Sequence, residues 1–329
     1  MDEMKQTAIV SVQEPSQVAE ARRRAVEAGR AAHLDEESLG RLEIITTELA
    51  TNLLAHAKGG EILITSPRDQ SIEVIAADTG PGLLNVELSF QDGFSTGTTP
   101  GLGLGAVRRQ SQRVSAFASP GKGTVLSALI QPLSVVSLPE TAVISVPLRG
   151  ESVCGDTWSH AEDSGRHLFI IADGLGHGVH AAEASQLATQ IFDGATNESP
   201  DEIVRRMHNA LRATRGAAVM IVSLDRERQL ARWCGVGNIS GTLQRPGASR
   251  GMMSENGTVG HQAPRVRIHE APWSPIDVLI MHSDGLSSRW RMEQYDDLLS
   301  RSSGTIAGVL YRDHSRERDD RTILVAKVA

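Results

Sequence analysis

The sequence predicts an α+β protein built from two domains. Helix-period and strand-period patterns follow one another over the first 130 residues, and strand patterns dominate the rest. Between Gln131 and Thr141 this periodicity lapses, and Pro132 and Pro139 mark a boundary there. A chain of 329 residues is long enough for two domains, each with its own core. We therefore expect one domain over residues 1–134 and a second over 140–329.

The first domain is expected to alternate strands and helices. Asp35 is a suitable N-cap for the second helix, and acidic residues follow it in the first turn, where the helix dipole favours them. The predicted elements are a strand at 7–12, helices at 16–32 and 35–57, strands at 62–65 and 72–77, a helix at 104–113, and strands at 114–118 and 124–130.

The second domain is expected to consist mostly of strands, as in a β-sandwich flanked by helices. Apolar runs end at, or just before, an aspartate at Asp173 and Asp284, and one begins just after Asp320. The predicted helices cover 179–197, 200–214, 292–301 and 304–311.

Composition excludes several classes of protein. A formal net charge of −7 and 3% aromatic residues do not suit a nucleic-acid surface, which needs clustered Lys and Arg and stacking rings. The two cysteines, Cys154 and Cys234, form no metal-binding or disulfide pattern and suit a reducing compartment. Neither a membrane-spanning stretch nor a signal peptide is apparent. We expect a soluble cytoplasmic protein with no membrane span.

Several motifs of the first domain fit a nucleotide site. Glu48, Asn52 and His56 are spaced four residues apart on one predicted helix, which places them on one face. The glycine-rich segments 78–82, 101–105 and 121–124 follow in order. Glycines before a helix expose backbone N–H groups to a phosphate, an asparagine oxygen can hold magnesium, and a buried aspartate can accept from an adenine amino group.

This ordered set resembles the GHKL ATPase family, whose fold is the Bergerat α/β sandwich. Over Glu48 to Ala57 the chain is most similar to the bacterial serine kinases of partner-switching pathways, the RsbT and RsbW types. The resemblance implies ATP and Mg²⁺ as cofactors, with Asn52 binding the ion and Asp78 reading adenine. The resemblance assigns the remaining nucleotide contacts to Gly80, Gly82, Gly101, Gly103, Gly105 and Thr124.

Glu48 is the candidate catalytic residue of this domain. It lies one turn before Asn52, where its carboxylate can accept the proton of an incoming serine hydroxyl as the γ-phosphate transfers. His56 is interpreted as a helix-packing residue, and residues 83–100 as a short lid over the nucleotide.

The second domain carries four acidic motifs: Gly155-Asp156, Asp173-Gly174-Leu175-Gly176-His177-Gly178, Ser283-Asp284-Gly285 and Asp319-Asp320-Arg321-Thr322. Carboxylates brought together from strands distant in sequence repel one another. A site made of them is favourable when hard divalent cations supply the missing positive charge. A magnesium or manganese centre is therefore predicted.

The four motifs, in this order, resemble the metal-dependent phosphatases of the SpoIIE and RsbX branch, related to the protein phosphatase 2C family. The resemblance implies a dinuclear Mn²⁺ or Mg²⁺ site in which Asp173 bridges the ions and the Gly174 carbonyl binds one of them. Asp284 and Asp319 would hold the other ion, with Asp156 close by and Asp320 supporting the ligands. Two such ions lower the pKa of a shared water, so that no side-chain nucleophile is required and Asp173 is the central catalytic residue.

Together these resemblances imply a bifunctional partner-switching regulator. Its kinase and phosphatase domains would act on serine or threonine of STAS-domain antagonists or stressosome-type proteins, with sigma-factor regulators as a further class of partner. Two alternatives stay open. The first domain could be an ATP-dependent binding module that transfers no phosphate, or the nucleotide could merely gate the phosphatase.

Overall fold

The structure is a computed structural model that describes residues 5–67, 70–83, 90, 103–132, 139–261 and 266–328. The chain forms two compact units. The first comprises Met1–Ile144 together with Tyr295–Asp313, and the second comprises Ser145–Gln294 together with His314–Ala329. The expected joint near residue 135 lies outside the described residues. The limits 1–134 and 140–329 stay a proposal.

The first unit contains one antiparallel sheet with strand order β1-β2-β3-β5-β4. Helices α1 and α2 pack against one face of it, around a core that includes Leu42, Ile45 and Leu49 of α2. Its elements are β1 (Ala8–Val12), α1 (Pro15–Ala31), α2 (Glu36–Asn52), β2 (Gly60–Thr65), β3 (Ile72–Ala77), α3 (Gly103–Gln110), β4 (Arg113–Ser119) and β5 (Gly123–Ile130).

Local sequence explains where α1 and α2 begin. Glu14 and Gln17 form a capping box at the start of α1, with Pro15 in its first turn. The Asp35 side chain accepts a hydrogen bond of 2.7 Å from the Ser38 N–H, as predicted for the cap of α2. The predicted helix 35–57 is not α-helical throughout, because α2 ends at Asn52 and continues as a π-helical turn, Leu53–Ala57. The wider turn shifts His56, which is exposed, out of the four-residue register.

A helix from far along the sequence completes the first unit. Helix α6 spans Ser303–His314, and its residues up to Asp313 belong to this unit. A Cβ at Gly308 would lie 2.7 Å from Val125 Cγ1 and 2.8 Å from Ile75 Cγ2, so α6 packs closely against β5 and β3. These residues alternate along their strands with residues of the α1–α2 core, and the helix therefore covers the opposite face of the sheet.

The second unit contains two five-stranded sheets with orders β13-β10-β9-β8-β7 and β12-β11-β14-β15-β6. Helices α4 and α5 pack on the first sheet. The elements are β6 (Glu140–Val146), which begins in the first unit, β7 (Asp156–Asp163), β8 (Arg166–Gly174), α4 (Val179–Asp193), α5 (Pro200–Ala210), β9 (Ala217–Asp225), β10 (Leu230–Val236), β11 (Ser240–Arg245), β12 (Ala248–Met252), β13 (His269–Pro272), β14 (Val278–His282) and β15 (Arg321–Lys327).

The predicted fold class, two α+β domains with a helix-flanked β-sandwich as the second, is confirmed. The predicted helix over 292–301 is wrong: two short 3-10 turns occupy Met292–Gln294 and Leu298–Ser300. Asp297 between them has a left-handed backbone with φ of 61°, which a continuous α-helix does not accommodate. No helix within the described ranges is both long and apolar enough to cross a membrane.

Candidate functional site

Two groups of predicted residues come together, one in each unit. In the first unit, α2 and the start of α3 bring Glu48, Asn52 and Gly103 side by side. A Cβ on Gly103 would lie 2.7 Å from Glu48 Oε2 and 3.8 Å from Asn52 Oδ1. Glycine at this position leaves room for the Glu48 carboxylate, which a larger residue would displace. The start of α3 therefore faces the predicted proton acceptor and the predicted magnesium ligand.

The Asn52 amide has an unsatisfied group. Its Nδ2 atom is buried and has no hydrogen-bond partner among the described residues. A buried donor without a partner costs about 1–3 kcal/mol, which a bound ligand with acceptor oxygens would recover. The free N–H of Asn52 could donate to a phosphate oxygen, and the Asn52 Oδ1 atom and the neighbouring Glu48 carboxylate are oxygen groups of the kind that Mg²⁺ prefers. These residues therefore fit a magnesium–nucleotide site.

The predicted adenine side of the site forms around Asp78, which is buried at the end of β3. Its Oδ1 atom accepts a 2.7 Å hydrogen bond from the Gly80 N–H, and its own N–H donates to the Thr124 carbonyl at 3.0 Å. At Gly82, φ is 78° and a Cβ would lie 2.7 Å from the Ser119 carbonyl oxygen. The turn after β3 thus needs glycine for conformation and for space.

The remaining residues that were predicted to contact the nucleotide lie only partly within the described chain. Gly105 is buried within α3, whereas Gly101 and most of the expected lid, residues 83–100, lie outside the described residues. Two contacts of the Asp78 carbonyl were not predicted, although Gly123 lies in the glycine-rich segment 121–124. A Cβ on Gly123 would lie 2.0 Å from the Asp78 carbonyl oxygen, and Arg312 Nη1 of α6 donates to that oxygen at 3.3 Å. Gly123 could have been inferred from its glycine-rich turn, but nothing in the sequence relates Arg312 to a residue 234 positions away.

In the second unit, Asp156 and Asp173 are paired directly across β7 and β8, so their side chains point to the same face of the sheet. Asp156 is 4% exposed, and its Oδ2 atom accepts from the Ser283 hydroxyl at 2.7 Å. Ser283 in turn accepts from the Thr322 N–H at 3.1 Å. One serine therefore links three of the four acidic motifs.

Asp284 and Asp319 complete the acidic group at the adjoining ends of β14 and β15. The Asp284 Oδ2 atom accepts from Asn238 Nδ2 at 2.7 Å, and its carbonyl accepts from Arg316 Nη1 at 3.2 Å. Asp319 Oδ1 accepts from the N–H of Asp320 at 3.0 Å. The sequence motifs did not single out Asn238 as a partner of Asp284. The glycine-rich turn containing Asn238 was the available signal.

Asp320 is buried and turned toward the loop before β7. Its Oδ1 atom accepts from the Leu148 N–H at 2.8 Å, and a side chain on Gly155 would lie 2.6 Å from its Oδ2 atom. A side chain on Gly174 would lie 1.9 Å from the Ala181 carbonyl oxygen, so glycine is required where β8 meets α4. These contacts hold the acidic loops in place.

Burial and mutual repulsion make these carboxyls hard to ionise together. Burial, followed by the charges of Asp156 and Asp284, raises the pKa of Asp173 to about 9. Burial raises the pKa of Asp156 to about 7, partly opposed by the Ser283 hydrogen bond. The pKa of Asp284 is raised by burial and then by Asp319.

Within the described chain, no three His, Cys, Asp or Glu side chains stand close enough together to form a finished metal-binding cluster. The donor set nevertheless consists of oxygen atoms, which Mg²⁺ and Mn²⁺ prefer. Divalent cations would also relieve the repulsion that raises the pKa of Asp156 and Asp173. The chemistry of these residues therefore fits a divalent metal ion.

Comparison with known proteins supports the resemblance predicted for each of the two domains. Residues 163–329 match the family model described as Stage II sporulation protein E (SpoIIE), and residues 12–129 match the histidine kinase-like ATPase domain. The chain is 28% identical to the phosphoserine phosphatase RsbX of Bacillus subtilis (strain 168) over 149 residues, 45% of this chain and 75% of that protein. It is 34% identical to the serine/threonine-protein kinase RsbT of the same strain over 92 residues, 27% of this chain and 69% of that protein.

Solved structures give the same picture for the second unit. A crystal structure of RsbX in complex with magnesium has a TM-score of 0.51 and 26% identity, covering 58% of this chain and 94% of that chain. A structure from the bacterial stressosome has a TM-score of 0.54 and 24% identity, covering 58% of this chain and 100% of that one, which shows a shared fold. The resemblances drawn from the motifs are confirmed.

Proposed function

Because the chain belongs to the SpoIIE family and its first half is a histidine kinase-like ATPase domain, we propose that it is a bifunctional cytoplasmic regulator of partner switching. The kinase domain phosphorylates serine or threonine on small STAS-type antagonist proteins, and the phosphatase domain removes the phosphate. The observation that carries the phosphatase assignment is the pairing of Asp156 with Asp173 beside the Ser283–Asp284 motif.

For the phosphatase, Asp173, the Gly174 carbonyl, Asp284 and Asp319 would hold two manganese or magnesium ions, with Asp156 adjoining. Such ions supply activation of water and neutralise charge on the phosphate. The protein's own contribution is orientation: Ser283 fixes Asp156, and Asn238 fixes Asp284 through hydrogen bonds of 2.7 Å.

For the kinase, Asn52 would hold magnesium with ATP, Asp78 and Thr124 would border adenine, and the backbone at Gly101–Gly105 would contact the phosphates. Glu48 would accept the proton of the substrate hydroxyl as the hydroxyl oxygen attacks the γ-phosphorus. The bond from that phosphorus to the β–γ bridging oxygen breaks, and ADP leaves. The relatives support serine or threonine as the modified residue, since RsbT is a serine/threonine-protein kinase and RsbX is a phosphoserine phosphatase.

Hydrolysis of phosphoserine with Mn²⁺ tests the phosphatase. Asp173→Asn is expected to lower kcat by at least a hundredfold, since a required charge at the metals is lost. Asp163→Asn, on the neighbouring strand β7 at the end away from the acidic group, is the matched control and should keep wild-type turnover. It weakens a partly exposed ion pair with Arg166 and a hydrogen bond from the Ser164 hydroxyl. Wild-type turnover in the presence of a chelator would refute the metal-dependent mechanism.

Transfer of radiolabel from ATP to a purified STAS-domain protein tests the kinase. Glu48→Gln keeps the shape of the side chain and should abolish transfer, whereas Glu43→Gln on the exposed face of α2 should not. ATP binding without transfer by the wild type would favour the non-catalytic binding module. A phosphatase rate that changes with ATP, with no labelled partner, would favour nucleotide gating.

A further inference from the structure

A pocket of about 470 Å³ lies on the second sheet of the phosphatase unit, next to the acidic group. Alternate residues of β11, namely Ser240, Thr242 and Gln244, share one face of the strand and line it. Asn238, which holds Asp284 at 2.7 Å, lies at the same pocket. A molecule bound here would therefore lie one residue away from the proposed metal ligands.

The lining of the pocket is polar but uncharged. Among the described residues it contains hydroxyls, amides, one histidine, one tryptophan and the apolar Ile239 and Met252, and no Asp, Glu, Lys or Arg. A pocket without charged groups offers no partner for a phosphate, a carboxylate or an ammonium group, because a desolvated charge needs an opposite charge nearby. Its volume is in the range of ligand-binding pockets. The pocket lining therefore favours uncharged ligand groups that form hydrogen bonds.

Two buried polar atoms of the pocket lack partners. Thr242 Oγ1 and Trp290 Nε1 have no hydrogen bond within the part of the chain that the structure describes, and Trp290 is only 8% exposed. An indole N–H can only donate, so its partner must be an acceptor such as a carbonyl oxygen. A threonine hydroxyl can both donate and accept. The indole N–H and the threonine hydroxyl therefore match the carbonyl and N–H groups of a peptide backbone or of a side-chain amide.

The position of β12 indicates what kind of chain can enter. It is the edge strand of its sheet, Ala248–Gly251 are exposed, and Ser249 and Gly251 line the pocket. An exposed edge strand can pair with an extended peptide through backbone hydrogen bonds, while adjacent pockets take its alternate side chains. A folded ligand without an extended segment would not use this edge.

We propose that this pocket binds uncharged polar residues flanking the phosphoserine of the substrate, in an extended conformation beside β12. The inference rests on the proposed phosphatase function and adds a specificity site to it. Trp290 and Thr242 would contact the substrate backbone or an amide side chain, and the phosphoserine would reach the acidic group past Asn238.

Two phosphoserine heptapeptides and p-nitrophenyl phosphate test this with the full chain and Mn²⁺. One peptide carries Ser, Asn, Gln and Ala around the phosphoserine, and the other carries Lys and Asp. The wild type should show a higher kcat/KM for the neutral peptide. In Trp290→Phe, the ratio of kcat/KM for the neutral peptide to that for p-nitrophenyl phosphate should fall roughly fivefold through KM, the effect of one lost hydrogen bond. Thr242→Val should act in the same direction.

Trp273→Phe is the matched control. Its indole nitrogen is also buried without a partner in the described chain, but Trp273 does not line the pocket, so the ratio should stay at the wild-type value. Equal ratios in the Trp290 and Trp273 variants, or equal use of the two peptides by the wild type, would overturn the inference. Hydrolysis of p-nitrophenyl phosphate with neither peptide hydrolysed would overturn it too. Failure on all three substrates would remove the phosphatase function itself.

Discussion

Replacing Glu73 by glutamine should stabilise the first unit at alkaline pH. Glu73 is 2% exposed on the face of β3 that meets α6, where a Cβ on Gly304 would lie 1.9 Å from its Oε1 atom. Its Oε1 atom accepts from the Ser127 hydroxyl at 2.9 Å. The charged neighbours are Arg113 of β4 and Glu140 of β6, which form an ion pair at 2.9 Å.

Burial is the main reason that the pKa of Glu73 rises from 4.5 to about 7, while Arg113 and Ser127 act in the opposite direction. Because this pKa is higher in the folded chain than in the unfolded one, the folded state binds the extra proton between pH 4.5 and 7. Stability therefore falls as pH rises through that window. At ~1.4 kcal/mol for each tenfold change in proton affinity, the cost above pH 7 is about 3 kcal/mol.

Hydrogen exchange measured by mass spectrometry on peptides covering β3 and β5 provides the assay, with rates corrected for intrinsic pH effects. At pH 8 the Glu73→Gln variant should exchange up to roughly a hundredfold more slowly than the wild type, since a neutral amide replaces the buried charge. At pH 5 the two should be alike. Glu43→Gln, an exposed change, is the control. Identical pH profiles for Glu73→Gln and the wild type would refute the reasoning.

Two further predictions concern the candidate sites. Without metal at pH 7, Asp173→Asn should raise the urea midpoint followed by tryptophan fluorescence. Burial, and then the charges of Asp156 and Asp284, raise the pKa of Asp173 to about 9, so this carboxyl destabilises the folded state at pH 7 and a neutral amide does not. Added Mn²⁺ should raise the midpoint of the wild type only. A metal-free variant less stable than the wild type would contradict this. Gly123→Ala, with φ of 89° and a Cβ 2.0 Å from the Asp78 carbonyl, should weaken binding of a fluorescent ATP analogue at least tenfold, and unchanged affinity would show that this turn does not shape the site.

Local signals in the sequence predicted much of the fold. The Asp35 cap, the strands ending before Asp78 and Asp284, and the glycine-rich turns each depend on residues close in sequence, and the structure shows them where they were expected. The prediction of a helix over 292–301 was wrong because the left-handed backbone at Asp297 depends on tertiary contacts, which the periodicity of the sequence does not show.

Contacts between residues far apart in sequence could not be predicted from the sequence. Motif order predicted that Asp156 and Asp173 belong to one site, and their direct pairing across two strands agrees with it. Nothing in the pattern predicted that Ser283 would fix Asp156, or that Arg312 would donate to the Asp78 carbonyl, because each contact joins residues more than a hundred positions apart. Such contacts follow from the packing of whole helices and strands and produce no periodic pattern in the sequence.

The assignment of Tyr295–Asp313 to the first unit affects how the protein can be divided. The polypeptide leaves the phosphatase unit after Gln294, contributes a helix to the ATPase unit, and returns at His314 before reaching Asp319. No single cut can therefore release an intact ATPase unit. A protease that cuts the chain near residue 135 should yield two fragments that co-migrate under native conditions. Genes split at that point should require co-expression to give a folded ATPase unit.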